Sequence, residues 1–243
     1  MKRILQTVSV LAFVLISVGN AQAIPLVTLL AGGSITAGDK LFDKWSLIQF
    51  ISSDPSRTFN AGNIDVTALN DGNLNPGPGL QFTVNNKEMS VTGDGVFNFI
   101  DLAFGFHVSA SPGFRIKDNS LNLDGTLSTT SANGFEDLGM TIQEWVGNAL
   151  VTDPATPGFI SSEVSALNGV NTTTGLASSI FAPRADLFVT KDILIWATNK
   201  EETASLLNFN QRFSQVKTVP EPGTLTLLVL TLAVLGVGRL RRN

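Results

Sequence analysis

The stretch Val96-Phe-Asn-Phe-Ile-Asp-Leu-Ala-Phe-Gly-Phe-His-Val-Ser-Ala110 decides the fold class of this 243-residue chain. From its fifth residue onward, every second side chain is apolar: Ile100, Leu102, Phe104, Phe106, Val108 and Ala110. The positions between them include Asp101, Gly105, His107 and Ser109. An apolar period of two residues is typical of a β-strand with one face in a core. The stretch therefore predicts one long strand of a sheet.

Shorter segments on both sides repeat this alternation, at residues 64–68, 80–84, 121–127 and 207–213. Turn-forming residues separate the segments: Asn70-Asp-Gly72, Asn75-Pro-Gly77, Gly93-Asp-Gly95, Ser111-Pro-Gly113 and Asp124-Gly125. Strands joined by many tight turns favour an antiparallel arrangement. We therefore predict an all-β domain, an antiparallel β-sandwich of jelly-roll-like type.

Two further parts of the chain have weaker patterns. Phe135, Leu138, Ile142 and Trp145 have helical spacing, but Gly139 and the all-β surroundings favour a strand. Residues 128–134 and 152–184 are rich in Ser, Thr, Pro, Gly and Asn, and this composition predicts long loops.

Composition excludes several classes of function. The chain has no Cys and a single His, so disulfides, thiol catalysis, Cys-ligated zinc and His clusters are ruled out. Residues 24–219 contain 11 basic and 19 acidic side chains, a net charge of −8. Because nucleic-acid binding needs a basic face that neutralises phosphates, this acidic middle argues against a nucleic-acid partner.

The N-terminus has the three parts of a secretory signal. Lys2 and Arg3 supply the positive charge, and the uncharged stretch Ile4–Val18 supplies the apolar region. Ala21 and Ala23 provide the small residues that signal peptidase accepts. We expect cleavage after Ala23, and the alternative is an N-terminal anchor that is never cut.

The C-terminus combines a motif, an apolar stretch and a basic end. Val219-Pro-Glu-Pro-Gly223 precedes the uncharged stretch Thr224–Gly238, and Arg239, Arg241 and Arg242 follow. As a helix, residues 223–238 would be roughly 24 Å long, a minimal span of a hydrocarbon core about 30 Å thick. The Arg cluster would stay cytoplasmic and leave the middle domain outside the inner membrane. The alternative is a buried core helix.

These last residues resemble the PEP-CTERM sorting signal of Gram-negative bacteria. The resemblance implies recognition of Pro220, Glu221 and Pro222 by exosortase, a membrane-embedded cysteine protease, after a transient stay in the inner membrane. It also implies an association with exopolysaccharide. The middle domain is similar to a recurrent kind of PEP-CTERM ectodomain, which informs the fold alone, in Ala37–Phe42, Pro78–Phe82, Asp101–Phe106 and Phe188–Ile193. The predicted organisation is a signal peptide at 1–23, an all-β extracellular domain at 24–218 and a sorting signal at 219–243.

Catalytic patterns are weak in the middle domain. His107 lies in the middle of a predicted strand among aromatic residues, without a Gly-x-Ser-x-Gly elbow, so it is interpreted as a strand-face histidine that is solvated or hydrogen-bonded. Asp101 and Glu144 lie on predicted strands, but nothing in the sequence brings them to the separation of paired glycosidase carboxyls. We therefore predict no catalytic residues and no enzyme activity.

Cofactor and ligand patterns are weak too. The turns at 71–75, 93–95 and 122–125 offer oxygen ligands for Ca²⁺, yet none matches an EF-hand loop and all are first of all turn formers. No cofactor is therefore expected, and calcium stays open as an alternative. Trp45, Trp145 and Trp196 could stack on sugar rings, but core positions are the favoured interpretation, above all for Trp196 beside Ile193 and Ile195.

Three functions follow from these patterns. The leading hypothesis is a non-enzymatic surface or extracellular-matrix protein, processed by signal peptidase and exosortase and associated with exopolysaccharide or biofilm. The alternatives are a lectin-like carbohydrate-binding module and a secreted glycoside hydrolase with paired carboxylates. An exposed row of Trp or Phe across a sheet face would favour the lectin, two carboxyls at the base of a cleft the hydrolase, and a featureless polar face the matrix protein.

Overall fold

The computed structural model describes residues 22–130, 136–150, 158–167, 170–173 and 175–218. The predicted signal peptide up to Ala21 and the predicted sorting signal from residue 219 lie outside these ranges. Within them, no helix is long and apolar enough to pass through a bilayer. The predicted span Thr224–Gly238 is not among the described residues.

Strands dominate the described residues and form two sheets. Sheet A contains β1 (Ile24–Pro25), β4 (Ile64–Leu69), β5 (Gly79–Val84), β6 (Ser90–Thr92), β8 (Phe114–Thr129), β12 (Leu176–Arg184), β14 (Glu202–Arg212) and β15 (Gln215–Lys217). Sheet B contains β2 (Ile35–Ala37), β3 (Lys40–Ser52), β7 (Asn98–Ala110), β9 (Asp137–Gly147), β10 (Ile160–Leu167), β11 (Val170–Thr173) and β13 (Asp186–Ala197). A short helix α1 (Leu26–Leu30) and a 3-10 turn (Ala61–Asn63) precede β2 and β4.

The two sheets face each other as an antiparallel β-sandwich, which confirms the predicted fold class. Sheet A has the order β1-β4-β5-β14-β8-β12, with β6 beside β14 and β15 beside β8. Sheet B has the order β11-β10-β9-β13-β7-β3-β2. Neighbouring strands in both sheets run antiparallel, as the many tight turns predict.

Most of the stretch 96–110 forms β7, a central strand of sheet B between β13 and β3. Its alternating apolar side chains point into the sandwich and are fully buried: Ile100, Leu102, Phe104, Phe106 and Val108. Across from them, sheet A contributes Phe82 and Phe209, whose rings stack at 4.4 Å between centroids. Trp45 lies against Phe106 at 4.6 Å. The apolar side chains of the alternating pattern thus form the hydrophobic core between the two sheets.

The segment that contains Leu138, Ile142 and Trp145 forms strand β9, as predicted from Gly139 and the all-β surroundings. β9 pairs with β13 over its whole length, from Ala197 opposite Leu138 to Phe188 opposite Gly147. Leu138 and Ile142 face the core, whereas Trp145 points to the other face of the sheet. Strand geometry therefore separates side chains that a helix would have placed on one stripe.

The prediction of loops at 128–134 and 152–184 is wrong for most of the described residues there. Residues 128–129 end β8, and the region from 160 to 184 contains β10, β11 and β12. β12 pairs with β8, and β10 pairs with β9. These are strands at or next to the sheet edges, where small Ser, Thr and Ala side chains complete a pattern that has few large apolar residues.

The tryptophans only partly follow the prediction. Trp45 and Trp145 are buried, at 6% and 3% exposure. Trp196 is half-buried on the outer face of sheet B, where its ring covers Gly139. Its indole N–H donates to the Asp137 carboxylate at 3.1 Å. Strand alternation explains the difference, because Ile193 and Ile195 point inward and Trp196 must then point outward.

Candidate functional site

A cleft of about 490 Å³ opens at one end of the sandwich. One wall is Ser52–Asp54 with Arg57, in the loop after β3. The other wall is Val91–Asp94 with Asn98 and Phe99, where the chain turns from β6 into β7. The cleft is therefore built by a loop of sheet B against the β6–β7 turn.

Hydrogen bonds fix the loop wall of this end cleft. The Arg57 guanidinium donates to the backbone oxygens of Ser90 at 3.0 Å and Glu88 at 2.6 Å. Asp54 accepts from the backbone N–H and the hydroxyl of Ser56, at 2.9 and 2.7 Å. These hydrogen bonds lower the pKa of Asp54, so its carboxyl is ionised at neutral pH. These hydrogen bonds thus fix the loop, which presents a negative charge at Asp54 and a positive charge at Arg57.

The β6–β7 wall combines polar groups with the ring of Phe99, against which the neighbouring Phe97 packs. Ser53 accepts from the backbone N–H of Phe99 at 3.0 Å and donates to the Asn98 side chain at 3.2 Å. Phe97 is 51% exposed and stacks on Phe99, with 5.7 Å between ring centroids. An exposed apolar ring beside hydroxyl, amide and carboxylate groups suits a ligand with both apolar C–H faces and hydroxyl groups, such as a sugar.

The acidic turns considered for calcium use their carboxylates within the protein. Asp94 accepts from the backbone N–H of Val96 at 3.0 Å, and Asp124 accepts from the Asn208 amide at 2.7 Å. Asp71 accepts from Arg212 at 3.1 Å. In the described part of the chain, no group of three or more His, Asp or Glu side chains is arranged to hold a metal ion.

Four polar side chains form a fully buried cluster between the sheets. Lys191 of β13 donates to the carboxylate of Glu144 on β9 and to the side-chain oxygen of Gln211 on β14. Glu144 Oε1 also accepts from the amide nitrogens of Gln211 at 2.8 Å and Asn119 at 2.6 Å. Burial lowers the pKa of Lys191 and raises that of Glu144, so the dry interior works against the charged form of each group.

A similar but smaller cluster lies where β3 begins. Lys40 is fully buried and donates to Gln215 Oε1 at 2.5 Å and to Asp39 at 3.0 Å. Gln215 donates back to Asp39 at 3.1 Å. Burial lowers the pKa of Lys40. Because Lys40 belongs to sheet B and Gln215 to sheet A, this contact also joins the two sheets.

The two carboxyls weighed as a catalytic pair lie on opposite faces of sheet B. Glu144 is buried in the core, whereas Asp101 lies on the outer face. There Asp101 shares a hydrogen bond with Asp192. Burial, followed by the hydrogen bond and charge of Asp101, raises the pKa of Asp192 to about 7. Carboxyls in hydrogen-bond contact leave no room for the sugar or water that lies between glycosidase carboxyls about 5 to 10 Å apart.

His107 lies on a strand face and is hydrogen-bonded, one of the two environments that its sequence position predicts. Its Nδ1 lies 2.7 Å from an Asp43 carboxylate oxygen, and its Nε2 lies 3.7 Å from Asp186. The ring also packs against Phe188, with 4.9 Å between ring centroids. Two carboxylates and an aromatic ring thus account for the surroundings of the histidine.

Most sequence-predicted processing residues lie outside the described ranges: Ala21, Pro220, Glu221, Pro222, Arg239, Arg241 and Arg242. Ala23 is described, is exposed and immediately precedes β1. The cleavage predicted after Ala23 would therefore free a chain that begins with its first strand.

Sequence reasoning missed the buried cluster and the end cleft. The alternation of β13 places Lys191 between inward-facing Val189 and Ile193, and this spacing could have revealed a buried lysine. The partners of Lys191 come from β9 and β14, whose register no local pattern reports. Arg57 stands in a segment without periodicity, and Phe97 precedes the alternating part of the stretch 96–110, so no pattern marked either residue as part of a site.

The solved structures that match this chain share little sequence identity with it and have low TM-scores. The carbohydrate-binding module TmCBM61, solved in complex with beta-1,4-galactotriose, is 9% identical, with 72% of this chain and 89% of that chain covered and a TM-score of 0.24. A chain of the Glycosylation Associate Protein (Gap123) complex from Streptococcus agalactiae is 11% identical, with 78% of this chain and 28% of that chain covered and a TM-score of 0.22. No curated protein sequence matches the chain.

The C-terminal end of the chain matches a family model. A model described as the PEP-CTERM protein-sorting motif matches residues 218–242, the segment in which the sequence shows the Pro-Glu-Pro triplet, the apolar stretch and the Arg cluster. This motif implies exosortase-dependent processing, export and sorting to the cell surface in Gram-negative bacteria. The chain thus combines the β-sandwich described above with a C-terminal PEP-CTERM protein-sorting motif.

Proposed function

We propose that this chain is a non-enzymatic protein of the extracellular matrix that associates with exopolysaccharide. In this proposal, signal peptidase removes residues 1–23 and the tail anchors the precursor transiently in the inner membrane. Exosortase then acts at Pro220-Glu-Pro222, and the β-sandwich reaches the cell surface or the extracellular layer. The sorting motif at residues 218–242 supports the route, and the geometry of the sandwich supports the role.

The end cleft is the surface that we assign to the polysaccharide. Phe99 lines the cleft, and the exposed Phe97 ring that stacks on it can lie against the C–H face of a sugar, while Asn98, Asp54 and Thr92 offer groups that pair with hydroxyls. The loop is already fixed by Arg57, so little ordering entropy opposes binding. This combination of exposed aromatic ring and fixed polar groups is the single observation that carries the role.

The outer face of sheet A is less suited to a sugar. In the described residues, the outer face of sheet A carries a row of Thr67, Gln81, Asn210 and Asn122, with no exposed row of Trp or Phe. Such a polar face is what we expected of a matrix protein. Binding along a flat aromatic platform on sheet A is accordingly disfavoured against binding at the end of the sandwich.

The test uses the exported protein and the exopolysaccharide of the producing strain. In affinity electrophoresis, the polysaccharide should retard the wild-type protein. Phe97→Ala should weaken the apparent affinity about three- to tenfold, the range expected for losing one aromatic stacking contact. Ile180→Ala is the control, since Ile180 is 84% exposed on edge strand β12, lies outside the lining of the cleft and should bind as the wild type does. Equal retardation of the Phe97 variant and wild type would show that the cleft is not the binding surface.

A further inference from the structure

The buried cluster holds an amine, a carboxyl group and a carboxamide in direct contact. Lys191 Nζ contacts Gln211 Oε1 and Glu144 Oε2, and Gln211 Nε2 lies 2.8 Å from Glu144 Oε1. All three side chains are 0% exposed. One carboxyl group therefore touches both a nucleophilic nitrogen and the nitrogen of a potential leaving group.

We propose that Lys191 and Gln211 become joined by an intramolecular amide bond between Nζ and Cδ, formed with loss of ammonia and with Glu144 as the catalytic residue. The bond would connect β13 of sheet B to β14 of sheet A through the core. Nothing in the proposed sorting or polysaccharide binding requires this bond, so it stands independently of that function.

The contacts give each atom a role in the reaction. A proton first passes from the Lys191 ammonium to Glu144, which leaves a neutral amine and a carboxylic acid. Nζ then attacks Cδ of Gln211, which is within reach because Nζ already contacts Oε1 of the same carboxamide. The carboxyl group of Glu144 then passes this proton to Nε2 and takes another from Nζ, and the Cδ–Nε2 bond breaks. The products are the new amide, protonated Glu144 and one molecule of ammonia, so atoms and charge balance.

The surroundings favour this reaction over a static ion pair. The burial that lowers the pKa of Lys191 and raises that of Glu144 favours the neutral amine and the carboxylic acid that the first step requires. The Phe209 ring lies 5.4 Å from Nζ and helps to exclude water. Without water at the site, the tetrahedral intermediate is not diverted to hydrolysis of the carboxamide.

Asn119 is the competing carboxamide, and the geometry gives it a different role. Its amide nitrogen donates to Glu144 at 2.6 Å and to the backbone oxygen of Gly158 at 2.8 Å. The amine contacts Gln211 instead. Asn119 therefore acts as a positioning residue, which orients the carboxyl group of Glu144 between the two reacting side chains.

The test is a peptide map of the full chain after export. The denatured protein is digested with trypsin and a Glu-specific protease. An amide at Nζ blocks trypsin at Lys191, so residues 185–200 should appear joined to residues 203–212, at 17 Da below the sum of the two peptides. Cleavage after Glu201 and Glu202 ensures that no uncut backbone connects them. Fragmentation then locates the bond at Gln211.

Each outcome decides the proposal. Quantitative recovery of a free peptide 185–191 from the wild-type chain would overturn it, and the wild-type digest is sufficient for this without any variant. A bond from Lys191 to residues 118–136, which contain Asn119, would overturn the choice of Gln211. Glu144→Gln keeps the volume of the side chain but removes the carboxyl group, and the exported variant should yield free Lys191. A joined pair of undiminished yield in this variant would exclude Glu144 as the catalyst.

Discussion

Asp192 is half-buried beside Asp101 on the outer face of sheet B. Its pKa of about 7 lies above the ordinary value of 3.8, so between these pH values the folded chain holds a proton that the unfolded chain has released. The free energy of unfolding must then fall as the pH rises through this window. After allowance for solvent screening of a half-buried pair, the loss is about 1 to 2 kcal/mol.

The variant Asp192→Asn should remove this pH dependence, because an amide does not titrate. Urea denaturation at steps of pH from about 4 to about 7 measures the effect. The wild type should lose stability relative to the variant as the pH rises. Asp94→Asn, in an exposed turn, is the control and should retain the wild-type slope. Parallel curves for wild type and Asp192→Asn would contradict the shared proton.

At the level of single residues, the sequence predicts apolar core positions better than polar ones. Alternation alone places Phe104 and Phe106 inward, and both are fully buried. The same alternation holds at Lys191 and Gln211, but polarity suggests solvent there. The burial of these two side chains becomes understandable only when Glu144 and Asn119 arrive from other strands to satisfy them.

Strand β12 shows why an element can escape prediction. Its residues alternate between the exposed Leu176, Ser178 and Ile180 and the less exposed Ala177, Ser179 and Phe181. Large apolar side chains stand on both faces, so neither face has a clear apolar pattern. Its existence depends on antiparallel pairing with β8, a long strand with strong alternation. Edge strands of this kind follow from their partners rather than from their own composition.

A pair of substitutions tests β12 as a strand. Phe181 is 8% exposed and faces the core, so Phe181→Ala should lower the free energy of unfolding by about 3 kcal/mol. Ile180 is 84% exposed, and Ile180→Thr should change stability by less than about 0.5 kcal/mol. Thermal or urea unfolding measures both. Similar, small effects at the two neighbouring positions would mean that the segment is a loop, as its composition suggests.

At the scale of the whole molecule, order and charge along the sequence predict a signal peptide at the N-terminus and a sorting motif at the C-terminus. The family model confirms the C-terminal motif, because its parts are contiguous and need no folding partner. The alternating segments also predicted the sandwich, since the strand period is local. The end cleft could not be predicted, because Asp54 and Asp94 are brought together only by the pairing of β3 with β7.

Substitution of Pro220 and Pro222 by Ala tests how the tail is processed. Without the prolines, a helix should be able to extend through the triplet and hide the backbone that exosortase must reach. We expect uncut precursor to accumulate in the inner membrane, as measured by cell fractionation and the mass of the protein in each fraction. Removal of Arg239, Arg241 and Arg242 is the comparison, and should instead impair retention of the span. Normal loss of the tail from the Ala variant would show that the prolines are not needed for recognition.

The position of β15 determines how the domain would respond to mechanical load. A pull through residues 219–243 enters the sandwich at Lys217, whose short strand is held by three residue pairs with β8. The pairs of Lys217 and Val216 would yield first. Two residues further into the chain, Gln215 is bound to Lys40 of the opposite sheet, so tension there spreads across both layers. The last residues of β15 should thus detach under a small force, and the contact between Gln215 and Lys40 should keep the rest of the β-sandwich from unfolding with them.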